Sequence, residues 1–154
     1  MIRVRRAIPD ESHALTSLCR RAKAALGYPE EWLKEWEPQL LISEEDIRTS
    51  NIFVAEQQGA AVGVMALVPG PPAEIDHLWV EPDAQSKGVG TKLVSHAVLV
   101  SREQGWEKLR VVADPSALQF YEKMGFSAIG TLDAPVFGSP RQLPVLVRRI
   151  NEWI

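Results

Sequence analysis

The chain has 154 residues, 45% of them hydrophobic and 24% charged, the size of one compact domain with enough apolar side chains for a core. Seventeen Lys and Arg against 20 Asp and Glu give a net charge of −3, which argues against a general nucleic-acid binder, and a lone Cys19 without a Cys/His cluster excludes an internal disulfide and a thiolate metal site. Met1–Arg6 leads into no signal-like apolar stretch and no apolar run approaches the roughly 18 residues of a membrane span, so the expectation is a cytoplasmic protein of one domain, 1–154, without metal, membrane or nucleic acid as partner.

Residues 2–7 alternate apolar and basic side chains, the period of a strand. Pro9, Asp10 and Glu11 then open a helix with Asp10 as its expected N-cap, and Leu15, Leu18, Cys19, Ala22, Ala25 and Leu26 recur at helical spacing up to Gly27. Cys19 lies on that apolar stripe and reads as a core thiol. The less regular stretch 28–49 holds two short helix starts, one at Pro29 and one capped by Ser43 with Asp46. Residues 52–55 and 61–68 are strands of a hairpin turning near Gly59, and the proline-rich stretch 69–72 ends the second. A strand at 73–80, a helix at 88–104, a strand at 109–113, a helix at 115–124 and strands at 127–132 and 143–150 complete an α+β mixed sheet.

The link between strand 73–80 and the next helix runs Gln85, Ser86, Lys87, Gly88, Val89, Gly90. Two glycines permit a tight turn, and successive N–H groups at a helix start suit phosphate oxygens. A dinucleotide fingerprint would want a third glycine where Leu93 stands, and a P-loop would want Gly-Lys-Ser/Thr where the chain has Gly90, Thr91, Lys92. Both common nucleotide loops fit poorly, and by itself the segment is equally a helix-opening turn.

Taken together, strand, Gln-x-x-Gly-x-Gly loop, amphipathic helix, strand and the run Phe120, Tyr121, Glu122, Lys123, Met124, Gly125, Phe126 resemble the GCN5-related N-acetyltransferase (GNAT) family. The resemblance is strong from Ala73 to Gly130 and looser over the rest. It implies a GNAT-like acyl-CoA N-acyltransferase fold, a mostly antiparallel sheet splayed at the cofactor strand, and acetyl-CoA as co-substrate without a metal. In that likeness the N–H groups from Gln85 through Ser86, Lys87, Gly88, Val89 and Gly90 to Thr91 hold the pyrophosphate. The edge of Leu78, Trp79 and Val80 holds the pantetheine arm, and an N–H near Val80 supports the developing oxyanion. Lys87 adds positive charge. Tyr121 stands where family members place the acid that protonates the leaving thiolate, and its ordinary pKa near 10 keeps it protonated at neutral pH.

For the base that deprotonates the amine, the resemblance points to strand 73–80, with Asp76 first, Glu74 second and His77, on the opposite face by alternation, in reserve. The chain departs from the family twice. Leu109 and Arg110 stand where a glutamate base is frequent, and Asp114 stands where an asparagine touches the pantetheine arm.

The acceptor pocket implied by the likeness lies over 23–47 and 132–143. Tyr28, Trp32 and Trp36, with Glu30, Glu31, Glu35 and Glu37, suit a cationic amine, while 135–140 reads as a flexible rim. The expectation is an N-acetyltransferase acting on a primary amine of a small molecule or peptide by direct transfer in a ternary complex. Its rival is a non-catalytic acyl-CoA sensor or partner module, and a homodimer through 143–150 is a further expectation.

Overall fold

The computed structural model of the chain describes residues 1–150. In chain order it contains β1 (Ile2–Arg6), α1 (Ser12–Ala24), α2 (Glu30–Trp36), α3 (Glu44–Thr49), β2 (Asn51–Gln57), β3 (Ala60–Val68), β4 (Ala73–Val80), α4 (Val89–Gln104), β5 (Lys108–Val112), α5 (Leu118–Lys123), β6 (Ser127–Asp133) and β7 (Gln142–Arg149). Short 3-10 turns at Pro9–Glu11, Glu37–Leu40, Pro82–Ala84 and Pro115–Ala117 lie between them. The strands form one open sheet in the order β1-β2-β3-β4-β5-β7-β6. Its β4–β5 pair is parallel, and the β1–β2, β2–β3, β5–β7 and β6–β7 ladders are antiparallel. This is the mixed, mostly antiparallel α+β sheet expected from the sequence.

The chain divides into two compact units, Met1–Leu67 with His77–His96, and Val68–Asp76 with residues from Ala97 on. In the first, Leu15, Leu18, Cys19 and Ala22 of α1 are buried, as are Phe53, Val54 and Ala55 of β2, Val64 and Met65 of β3, and Val89, Leu93 and Val94 of α4. The β2–β3 turn is the two-residue type with both central positions left-handed, Gln58 at φ 52° and Gly59 at φ 80°, which matches the twist of paired strands. Asp10 is not the N-cap. The 3-10 turn already begins at Pro9, so the capped donor is the N–H of Ile8, which bonds Glu11 Oε1 at 3.0 Å, while Arg5 grips the same carboxylate at 2.9 and 2.8 Å. Ser43 and Asp46 do form the expected reciprocal cap of α3, at 3.0 Å in each direction.

Gly63 of β3 fixes where α4 begins. A Cβ there would lie 2.8 Å from Val89 Cγ1 and 3.0 Å from Leu93 Cδ1, so only hydrogen lets the first turns of α4 settle on the strand.

In the second unit the β4–β5 ladder pairs Ala73–Ile75 with Leu109–Val111. β5 ends at Val112 while β4 runs on to Val80, so the end of β4 extends past that ladder. β7 lies between β5 and β6 with both edges hydrogen-bonded. Pairing of two copies along an edge of β7 is thereby closed, while its faces are not involved in those ladders. The outer strand is β6, exposed along its whole length.

Candidate active site

The first unit carries the loop. At the end of β4 the N–H of Glu81 donates to Val62 O at 2.9 Å, and Arg21 of α1 holds the Glu81 carboxylate with two bonds of 2.6 and 2.8 Å. After the turn at Pro82–Ala84, the Gln85 side-chain amide reaches back to Val80 O at 3.2 Å, tying loop to strand end. Ser86 and Gly88 both have left-handed backbones, φ 66° and 83°. For a serine this conformation is uncommon and is retained where surrounding structure demands it, frequently at ligand sites. The 16-residue α4 follows at Val89, with Lys92 N–H on Gly88 O at 3.0 Å closing its first turn. The leading N–H groups of such a helix have no intrahelical acceptor and carry the positive end of its dipole. Gln85, Ser86, Lys87, Gly88 and Thr91 are exposed and Gly90 half-exposed, whereas Val89 is buried as the anchor. The result is a row of backbone donors open to an anion, with the lysine beside it.

Leu78, Trp79 and Val80 are half-buried. Trp79 Nε1 donates to His77 Nδ1 at 3.2 Å. An indole nitrogen can only donate, so Nδ1 must supply the lone pair, and the reserve base has that nitrogen engaged.

The three aromatic residues expected at the acceptor pocket do converge. Tyr28 stacks on Trp32 at 6.0 Å, and Trp36 meets Tyr28 and Trp32 edge-on at 5.0 and 5.9 Å. Glu30, Glu31, Glu35 and Glu37 are all exposed. What the sequence reading missed is Lys23, whose Nζ lies 4.2 Å from the Trp36 ring centre, 5.2 Å from Tyr28 and 5.5 Å from Trp79. The signal was available: Lys23 stands four residues after Cys19 on the buried stripe of α1. Cys19 itself is fully buried, and burial pushes its thiol up to about 12, the state of an inert core residue. His96 of α4 packs edge-on against Phe53 at 4.6 Å.

The second unit carries the candidate acid and the two carboxylate bases. Tyr121 is 4% exposed, its ring edge-on to Phe120 at 5.1 Å and Phe126 at 5.4 Å. Gly125 at φ 90° reverses the chain after α5, and the N–H of Phe126 bonds back to Tyr121 O at 3.0 Å. The run from Phe120 to Phe126 is therefore a self-contained helix stop that clamps the tyrosine between two rings. Burial raises the phenol above its ordinary pKa, so it stays a proton donor.

Glu74 and Arg110 face each other across the parallel ladder, with 3.6 Å between Oε2 and Nη1. The arginine standing where the family likeness wants an acid thus meets an acid on the neighbouring strand. Asp76 is exposed. Asp114 caps the turn before α5, accepting from Ser116 N–H at 2.9 Å and Oγ at 2.7 Å, and its other oxygen pairs with Arg141 at 3.2 Å. The rim 135–140 is a hydrogen-bonded turn. Val136 and Ser139 exchange bonds of 3.1 and 2.8 Å, Ala134 N–H bonds Arg141 O at 2.8 Å, and Val136 is buried. Among the described residues no three His, Cys, Asp or Glu side chains cluster as metal ligands, and no helix is long and apolar enough to cross a membrane.

An open mixed sheet whose fourth strand leads through a left-handed, glycine-bearing loop into a long helix, with a tyrosine clamped at the end of the next helix, defines the frame of an acyl-CoA N-acyltransferase. The sequence model described as the Acetyltransferase (GNAT) family matches residues 18–126, and the chain belongs to that family. Its relatives carry the enzyme class expected from the sequence. The chain is 28% identical over 148 residues to the peptidyl-lysine N-acetyltransferase YjaB of Salmonella typhimurium, covering 96% of this chain and 98% of that protein. It spans only 44% of the uncharacterized N-acetyltransferase MJ1207 of Methanocaldococcus jannaschii, at 28% identity over 106 residues and 62% of this chain. Among solved structures, the GCN5-related N-acetyltransferase from Rhodopseudomonas palustris superposes with a TM-score of 0.81 at 23% identity, over 96% of this chain and 94% of that one. The PaiA N-acetyltransferase of Thermoplasma acidophilum, in complex with coenzyme A, gives 0.78 at 19% identity over 97% and 99%.

Proposed function

We propose that the chain works as a single catalytic domain that moves the acetyl group of acetyl-CoA to a primary amine of a small molecule or peptide, by direct transfer in a ternary complex. The observation that carries this reading is the Gln85–Gly90 loop: two left-handed residues, a side chain pinned to the strand end, and a row of exposed N–H donors opening a 16-residue helix. Those donors suit a pyrophosphate. Leu78, Trp79 and Val80 receive the pantetheine arm by strand-like hydrogen bonding, and an N–H near Val80 stabilises the oxyanion as the amine nitrogen attacks the thioester carbonyl.

Two proton movements complete the transfer. The ammonium of the acceptor gives up a proton before attack, since the lone pair is its nucleophile. Asp76 is the preferred base. It leads on its exposed place on β4, with Glu74 second and His77 in reserve. When the tetrahedral intermediate collapses, the C–S bond breaks and Tyr121 supplies the proton to the departing thiolate. A buried neutral phenol suits that duty. Cys19, deep in the core with a raised pKa, does not suit an acyl-cysteine intermediate.

The testing experiment is thermal unfolding with coenzyme A, acetyl-CoA, ATP and NAD. A ligand at 100 times its Kd adds about 2.7 kcal/mol, a rise of roughly 5–10 °C for a chain of this length. A rise confined to the two coenzyme A compounds supports the reading, and thiol release with an amine panel then separates an enzyme from a non-catalytic acyl-CoA-binding module. No shift at millimolar ligand would reduce the loop to a helix-opening turn.

A further inference from the structure

Lys23 is 9% exposed, although a lysine at the end of a surface helix ordinarily extends its ammonium into water. Here the ammonium turns inward over three ring faces, 4.2 Å from Trp36, 5.2 Å from Tyr28 and 5.5 Å from Trp79, all within cation–π reach. Trp32 braces the set, stacked on Tyr28 at 6.0 Å and edge-on to Trp36 at 5.9 Å. Two details mark this as a recognition box rather than core packing. Tyr28, Trp32 and Trp79 are only half-buried, so the box has solvent-reaching walls. Trp79 also directly precedes Val80, the residue at which the acyl-transfer reading places the reacting carbonyl.

We propose that Lys23 is a specificity-determining residue whose ammonium is the built-in occupant of an aromatic cation box. Ring faces that hold one ammonium at these distances have little left for a second, and a second cation seated there would stand within a few ångströms of Nζ. Acceptors with a neutral or anionic end beside the reacting amine are admitted, and those that would seat a further cation in the box are refused. The inference rests on the acyl-transfer reading for the word acceptor, but cation binding itself can be measured without turnover.

The test titrates choline and its uncharged isostere 3,3-dimethylbutan-1-ol against tryptophan fluorescence, at constant ionic strength, in the wild type, Lys23→Ala, Lys23→Met and Lys23→Arg. Lys23→Ala vacates the box and is expected to bind choline at least tenfold more tightly than the wild type, with no such gain for the alcohol. Lys23→Met, which keeps the buried methylene stem and removes the charge, gives the same direction should the alanine variant fail to fold, and Lys23→Arg keeps the wild-type refusal. Choline binding as tight in the wild type as in the folded variants overturns the proposal, as does a folded Lys23→Met or Lys23→Ala with no gain. Stabilisation by acetyl-CoA, read on the same samples, reports separately on the acyl-transfer reading. Its absence would remove that reading and leave the choline result standing.

Discussion

Tyr121 is gripped from both sides, by Phe120 and Phe126, and its burial keeps the proton on the phenol well past neutrality. Tyr121→Phe removes one oxygen and leaves the ring contacts, so it isolates the proton transfer. A positioned general acid contributes roughly 10²- to 10⁴-fold, and kcat is expected to fall within that range while stabilisation by acetyl-CoA stays as it was. Because the pKa is raised rather than lowered, no alkaline fall in rate below about pH 10 should arise from this residue. A variant with unchanged kcat would remove Tyr121 from the mechanism. At this scale the sequence was informative where chemistry is local. The tyrosine, the glycine just before the end of the run and the closing phenylalanine sit within seven residues, and together they write the helix stop. Lys23 was only half legible: its spacing from Cys19 puts it on the buried stripe, but its ring partner Trp79 comes from β4, far along the chain.

Among the elements, α4 depends on one atom that is missing from β3. Gly63→Ala would drive a methyl to 2.8 Å from Val89 Cγ1, on a β-branched side chain with little rotamer freedom, and to 3.0 Å from Leu93 Cδ1. Overpacking of this kind costs about 1–3 kcal/mol, or roughly 2–12 °C in Tm for a chain of this size. Since Val89 is the anchor of the first turn, the N–H row of the loop shifts with it, and the Kd for acetyl-CoA should rise along with the fall in Tm. Gly130 of β6 has nothing within 4 Å of its would-be Cβ, so Gly130→Ala serves as the control and should move stability by less than about 0.5 kcal/mol. Equal melting temperatures for the two variants would show that α4 does not depend on Gly63. The order of elements and the hairpin at Gly59 were legible because periodicity and turn chemistry lie within one stretch of chain. The role of Gly63 was not, since the atoms that forbid a side chain there arrive 26 and 30 residues later. Asp10 was misread for a related reason: once Pro9 starts the turn, the donor to be capped is Ile8 N–H, and Glu11 is the residue that can reach it.

For the whole molecule, two buried acids are expected to weaken folding as the pH turns alkaline. The Cys19 thiol is raised to about 12, and the Tyr121 phenol is raised above its ordinary value. Unfolded, these groups titrate near 8.5 and 10, so between those values and the folded ones the native state holds protons that the unfolded state has lost. Stability therefore falls as pH rises, by up to about 1.4 kcal/mol per pH unit for each group so affected, and below pH 8 neither contributes any slope. Urea unfolding between pH 8 and 10.5 should show this decline, beginning with the thiol. Lysines and other groups titrate over the same interval but are common to the wild type and Cys19→Ala, so the difference between their slopes isolates the cysteine. The alanine variant starts lower at pH 8, because it leaves a small void among Leu15, Leu18 and their neighbours, yet it should lose stability less steeply above pH 9. Parallel lines for the two proteins would mean that the thiol ionises in the folded chain as readily as in the unfolded one. That outcome would also reopen Cys19 as a nucleophile, which its burial otherwise excludes.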